Sequence, residues 1–109
     1  MRLTQLEPQF VKRLEAGSFR HVDALADADG IYFVCPICFV TNGGLVGSHS
    51  ILCWRPTVPL DEFHRGPARW QFHGTGYADL TLSPSVLLPG DDGCKAHFFV
   101  RAGEIISCG

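Results

Sequence analysis

Cys35-Pro36-Ile37-Cys38 and Cys94-Lys95-Ala96-His97 are the two stretches that decide the fold of this 109-residue chain. Each is a pair of metal-ligating residue types with two residues between them. A tight turn with that spacing lets both side chains reach one ion, and three thiolates with one imidazole form a tetrahedral shell that suits Zn²⁺. The sequence therefore predicts a structural zinc site whose ligands are Cys35, Cys38, Cys94 and His97.

The distance between the two pairs limits the kind of zinc site. Residues 39–93 separate them, which is more than a zinc finger needs, so the ion would join distant segments. Three alternatives stay open. The thiols could be free and buried in separate turns. A thioredoxin-type redox pair would need a following helix, and the Gly-rich segment 39–47 has no helical period. A catalytic zinc would keep one coordination position for water.

Composition indicates a globular protein with one domain, 1–109. Hydrophobic residues make up 46% and charged residues 18%, which excludes a disordered chain. The net charge of −2 argues against binding nucleic acid through phosphate neutralisation, although seven of the nine basic residues are arginine. No run approaches the roughly 18 apolar residues of a membrane span. Five cysteines, an odd number, indicate a reducing cytoplasm and no membrane association.

Apolar runs bounded by Gly and Pro predict a mainly β protein of the small α+β type, a zinc-clamped antiparallel sheet with one N-terminal helix. Leu6, Phe10, Val11 and Leu14 recur at helical spacing and predict a helix over 5–16 that covers the sheet. It forms, with an edge strand at 18–22, an N-terminal segment 1–30 that precedes a zinc-binding core at 31–109. The predicted strands of that core are 31–34, 50–54, 69–72, 80–82 (ended by Pro84) and a closing hairpin of 97–101 and 104–107.

Several short motifs in the core resemble a known family. They are Cys35-Pro36-x-Cys38, His49-Ser50-x-x-Cys53-Trp54, Gly74-Thr75-Gly76, Asp79-Leu80-Thr81-Leu82-x-Pro84-Ser85 and Cys94-x-x-His97. Together they resemble small proteins of unknown function from tailed phages and prophages, which are often labelled ammonia monooxygenase. The resemblance covers about residues 31–107 and implies a phage or prophage origin, a host cytoplasm and a zinc site. It implies no activity. A membrane copper oxygenase would need spanning helices that this chain lacks.

The leading functional hypothesis from the sequence is a non-enzymatic module that binds a protein of the host or phage. Two alternatives remain. A small hydrolase or ligand-binding enzyme would use a cleft of His49, His73 and Asp79. A nucleic-acid binder would stack bases on loop arginines and aromatic residues. The residues of that last alternative are Arg55, Arg65, Arg69, Trp54, Phe63 and Trp70.

Overall fold

Two four-stranded antiparallel sheets form the protein in the computed structural model, which describes residues 1–15, 17–60, 68–88 and 94–108. The first sheet has the strand order β2-β1-β3-β4 and the second the order β5-β6-β7-β8. The strands are β1 (Gln9–Glu15), β2 (Ser18–Val22), β3 (Gly30–Val34), β4 (Ser50–Trp54), β5 (Gln71–His73), β6 (Thr81–Leu87), β7 (His97–Arg101) and β8 (Glu104–Ser107). The predicted mainly β class is confirmed.

One α-helix, α1 (Pro36–Asn42), leaves β3 directly and carries the first cysteine pair into a turn. Pro36 occupies its first turn, where a missing N–H costs no hydrogen bond. The helix ends at Gly43, whose positive φ of 71° lets its N–H reach carbonyls of the last turn. The absence of a helical period in segment 39–47 predicts no helix there, and this prediction is wrong for residues 39–42, which belong to α1. A helix of two turns is too short to show a hydrophobic period. Two short 3-10 helices span Leu3–Leu6 and Leu25–Asp27.

The main hydrophobic core lies between the two sheets. Phe10, Ile31 and Cys53 face it from neighbouring strands of the first sheet. Phe33 of the first sheet meets Phe98 of the second edge to face, with ring centroids 6.1 Å apart. Each such buried side chain contributes about 2–3 kcal/mol through the surface it removes from water. Burial of Cys53 also raises the pKa of its thiol.

A second, smaller apolar cluster covers the outer face of the first sheet. Val11, Gly30 and Trp54 are cross-strand neighbours there, and Val58 packs against them. A Cβ atom on Gly30 would lie 2.6 Å from the Trp54 ring and 2.7 Å from the Cys53 carbonyl oxygen. The indole therefore packs across the strand only because position 30 has no side chain.

The predicted N-terminal helix over 5–16 is wrong, because residues Gln9–Glu15 form β1, an inner strand of the first sheet. Phe10 faces the main core and Val11 faces the second cluster, so both faces of this strand are buried there. Two adjacent apolar residues that serve opposite faces mimic helical spacing. Leu14, which a helix would bury beside Phe10, is 55% exposed.

Strand β6 extends past the predicted end at Pro84 to Leu87. The register jumps between Leu82, which faces Val100, and Val86, which faces Phe98, so a bulge holds the extra residues. Proline is tolerated at such a break, since no ladder hydrogen bond needs its missing N–H. Among the described residues, no helix is long and apolar enough to cross a membrane.

Candidate active site and metal centre

Three thiols and one imidazole converge where the two sheets meet the turn of α1. The ligand atoms of Cys35, Cys38, His49 and Cys94 all lie within 4.8 Å of one another. The Sγ of Cys94 is 3.7 Å from the Sγ of Cys35 and 3.7 Å from that of Cys38. Sulfur atoms on a tetrahedron with Zn–S bonds of about 2.3 Å are about 3.8 Å apart, whereas a disulfide is about 2.05 Å long. The spacing matches a metal centre, and among the described residues none of these three cysteines forms a disulfide.

His49 joins this cluster through the start of β4. Its carbonyl oxygen accepts a hydrogen bond of 2.8 Å from the Cys35 N–H, which holds the two segments together. The Nε2 atom of His49 is buried and has no hydrogen-bond partner among the described residues. A buried polar nitrogen without a partner is costly in a protein and is the kind of atom that a metal ion satisfies.

The electrostatics of the three thiols also fit a site that needs a cation. Burial raises the pKa of Cys35 to about 12. Burial and a hydrogen bond with Cys94 raise the pKa of Cys38 as well. Burial opposes ionisation of Cys94 too, but the nearby His49 side chain, the Ala96 backbone and the other two thiols outweigh it and lower its pKa. Because the pKa values of Cys35 and Cys38 are raised, a metal ion that bound there would have to displace their protons.

His97, the fourth ligand expected from the sequence, lies outside this cluster. Its Nε2 atom is 2.9 Å from the Oγ of Ser85. The structure thus brings together Cys35, Cys38 and Cys94 as expected, with His49 at the fourth position. The imidazole of His97 instead belongs to a Ser–His pair on the second sheet.

Strand register explains how Ser85 and His97 meet. Leu87 is the cross-strand partner of His97, so Ser85, two residues earlier on β6, lies diagonally across from it on the outer face. The β6 bulge comes immediately before, and bulges often redirect side chains next to active sites. The buried Trp70 donates its indole N–H to the Ser85 carbonyl oxygen at 3.3 Å and holds this segment against the sheet.

The Ser85–His97 pair has the geometry of an activated nucleophile. A hydroxyl within hydrogen-bond distance of an imidazole can transfer its proton to that ring as it attacks a carbonyl carbon. Both residues are half-buried. Acyl transfer is the chemistry that this arrangement can perform.

The structure does not bring together His49, His73 and Asp79, which the sequence predicts to line one cleft. His49 lies in the thiol cluster, and His73 is exposed on the edge strand β5. Asp79 accepts hydrogen bonds from the backbone N–H groups of Thr75 and Gly76 and from the Thr75 hydroxyl, which lower its pKa. Its carboxylate closes a turn, and the three residues have separate surroundings.

The arginine and aromatic residues considered for base stacking are used internally. Trp54 and Trp70 are buried. Arg55 lies over the ring of Phe72 at 4.8 Å and donates to the Leu25 carbonyl oxygen. Arg69 donates to carbonyl oxygens of the loop around it, including that of Val58 at 2.9 Å. Phe63 and Arg65 lie outside the described residues.

The fold and the sites define a small β protein with two features: a Cys₃His cluster between the sheets and a Ser–His pair on the outer face of the second sheet. The chain belongs to the BubE family, because the model of that family, described as "Bacterial ubiquitination-like system serine protease (BubE)", matches residues 6–108. No curated protein and no solved structure matches the chain.

This membership corrects several expectations from the sequence. The resemblance to a phage and prophage family is wrong, and the inferred phage origin falls with it, since the matched family belongs to a bacterial ubiquitination-like system. The hypothesis of a non-enzymatic binding module is wrong as well, because the family is one of proteases. The motifs quoted for that resemblance nevertheless include Ser85 and His97, the two residues that form the pair.

Sequence reasoning did not find the Ser–His pair. His97 follows Cys94 at metal-ligand spacing, and this favoured a role as ligand. Ser85 and His97 are separated by residues 86–96, and only the register of β6 against β7 makes them neighbours. One signal was available in the sequence. Ser85 directly follows Pro84 near the end of one strand, and His97 begins the next strand, which pairs with the first.

Proposed function

We propose that this protein is a serine protease in which Ser85 is the nucleophile and His97 the general base. The observation that carries the proposal is the 2.9 Å separation of Ser85 Oγ and His97 Nε2, in a chain whose family consists of serine proteases. The chemistry requires the neutral imidazole with its proton on Nδ1, so that Nε2 accepts from the hydroxyl.

The reaction follows from this geometry. Ser85 Oγ attacks the carbonyl carbon of the scissile peptide bond while its proton passes to His97 Nε2. His97 then gives that proton to the departing amine, which leaves an acyl group on Ser85. Water attacks the ester in the same way, with His97 again taking and returning the proton, and releases a carboxylate and the free hydroxyl. A positioned general base of this kind contributes about 10²- to 10⁴-fold to the rate.

The metal centre has a structural role in this proposal. Cys35, Cys38, His49 and Cys94 would hold Zn²⁺, since their donor set and the 3.7 Å sulfur separations fit that ion. With four protein ligands the ion would be structural and would supply no group for proton transfer. The four ligands would tie α1 and the start of β4 in the first sheet to the segment that enters β7 and carries His97.

The substrate class is polypeptide, and the partner is a protein component of a bacterial ubiquitination-like system. The family description supports this assignment. The position of the pair on an outer sheet face also supports it, since an open face accommodates a folded protein that presents an extended segment.

Covalent labelling tests the proposal without knowledge of the substrate. We expect a fluorophosphonate probe to add once to the wild-type chain, with peptide mapping that places the adduct on Ser85. Ser85→Ala should abolish labelling, and His97→Ala should slow it by about 10²-fold or more. Ser83→Ala and His73→Ala are matched controls, because both residues are exposed in the same sheet and are expected to label at the wild-type rate.

Two results would contradict the proposal. One is labelling that persists in Ser85→Ala. The other is a wild-type chain that folds, as shown by a cooperative thermal transition, but does not react with the probe. Loss of labelling in His97→Ala counts only if its melting temperature stays near that of the wild type, since His97 opens β7.

A further inference from the structure

An apolar strip lies beside the Ser–His pair on the outer face of the second sheet. Phe99 is two residues after His97 on β7, and the two rings are 6.5 Å apart on the same face. Ile106 on β8 is the cross-strand partner of Phe99, and Leu87 on β6 is that of His97. Leu87 is 63% exposed and Ile106 41% exposed. Adjacent apolar side chains that face solvent next to reactive groups often mark a binding surface.

A positively charged side chain, that of Arg101, lies at the end of this strip that is farther from Ser85. The Arg101 guanidinium lies 4.6 Å from the centroid of the Phe99 ring. Glu104, the cross-strand partner of Arg101, is held by Arg2 in an ion pair of 2.6 Å. The Arg101 side chain is thus fixed on the ring while the nearest carboxylate of the hairpin is already paired. Its outward N–H groups are available for a carboxylate of another molecule.

We infer that this strip, formed by Leu87, Phe99, Ile106 and Arg101, is the subsite that sets which peptide bonds the protease cleaves. The inference rests on the proposed protease activity, because the strip borders the atoms that would react. Its occupant is the substrate segment itself, an extended chain with an apolar residue and an acidic residue on the same side of the scissile bond.

The spacing of the strip predicts where those two residues fall. Side chains on one face of an extended chain recur every second residue, about 6.6 Å apart. The 6.5 Å between the His97 and Phe99 rings equals one such step. A substrate that lies along β7 with its scissile carbonyl at Ser85 therefore puts an apolar side chain on Phe99 about two residues from the cut. The Arg101 guanidinium lies 4.6 Å from the centroid of the Phe99 ring, so an acidic side chain meets it within one further step along that face, up to about four residues from the cut.

Cleavage of a peptide library measures this specificity. The probe is a mixture of peptides prepared from a bacterial lysate, and mass spectrometry of the new termini reads the cleaved sites. We expect the wild type to select an apolar and an acidic residue at the two positions. Phe99→Ala should lose the apolar preference and lower kcat/KM at least tenfold. Arg101→Glu should replace the acidic preference by a basic one, because the sign of the contacting charge is reversed.

Matched variants separate specificity from stability. Leu14→Ala and Arg20→Glu alter an exposed leucine and an exposed arginine on strands of the first sheet, and they should leave the cleavage pattern unchanged. An active Phe99→Ala or Arg101→Glu protein with the wild-type pattern would overturn the inference. So would a wild type that labels at Ser85 with the fluorophosphonate but cuts no peptide of the library. In both cases the proposed nucleophile would stand, whereas loss of labelling itself would remove the protease proposal.

Discussion

The identity of the fourth metal ligand leads to a quantitative prediction about folding stability. One cluster of four donors is found in the described part of the chain, so we expect one zinc ion to bind the folded state. The free energy of unfolding should then rise by about 1.4 kcal/mol for every tenfold increase in free zinc above the dissociation constant. For a chain of this length, each such step raises the melting temperature by roughly 5–10 °C.

Two histidine variants distinguish the ligand from its neighbour in sequence. Loss of a group that only supports a ligand costs about 10- to 100-fold in metal affinity, so loss of a ligand should cost more. At a zinc level about 100 times the wild-type dissociation constant, His49→Ala should therefore lose most of the roughly 2.7 kcal/mol that zinc supplies. His97→Ala should keep the wild-type dependence on zinc, because its ring faces Ser85 and not the thiols.

The assay is thermal or urea unfolding in zinc buffers, with bound metal measured by elemental mass spectrometry. A wild-type stability that does not change with free zinc would refute the metal centre. A zinc dependence that disappears in His97→Ala but survives in His49→Ala would refute the ligand assignment and restore the one expected from the sequence.

Three further predictions concern the scaffold. Phe98→Ala should lower the free energy of unfolding in urea by about 3–5 kcal/mol, because it removes a fully buried ring from between the sheets. Gly30→Ala should destabilise by about 1–3 kcal/mol in the same assay, since the new methyl group would collide with Trp54. Asp79 has a lowered pKa in the folded state, so its contribution to stability is present above its unfolded pKa of about 3.9 and is lost as pH falls through the folded value. Asp79→Asn should flatten the pH dependence of the melting temperature in that acidic range, because the amide does not ionise.

Local patterns in the sequence were enough for most of the strands. The runs at 31–34 and 50–54 are each apolar for four or five residues and are bounded by Gly or a polar turn, and both are strands. The edge position of 18–22 also agrees with the structure. These elements are determined by neighbours in sequence, and a short continuous apolar run bounded by turn residues is enough to indicate them.

Tertiary context decided the parts that the sequence did not predict. The sequence of β1 resembles that of a helix because Phe10 and Val11, although adjacent, are both apolar and are buried on opposite faces of the strand. The burial of Val11 depends on the second apolar cluster around Trp54. The choice between His49 and His97 as the partner of the thiols depends on how the chain crosses between sheets. Both histidines lie at the start of a strand, and the Cys-x-x-His spacing favoured His97, whereas the folded chain brings His49 to the thiols.

The proposed metal centre and the proposed active site are physically coupled through one short segment. Cys94 belongs to the cluster and His97 follows three residues later, so an ion bound there would hold the point at which β7 begins. Leu88 N–H donates to the Ala96 carbonyl oxygen at 2.9 Å between them and ties that segment to the end of β6, the strand of Ser85. In a chain this small, the position of a proposed general base depends on few contacts, and a metal ion bound to the four-donor cluster would add one that links both sheets. Such an ion would affect the proposed reaction without touching the substrate, because it would hold the segment that leads into the strand of His97.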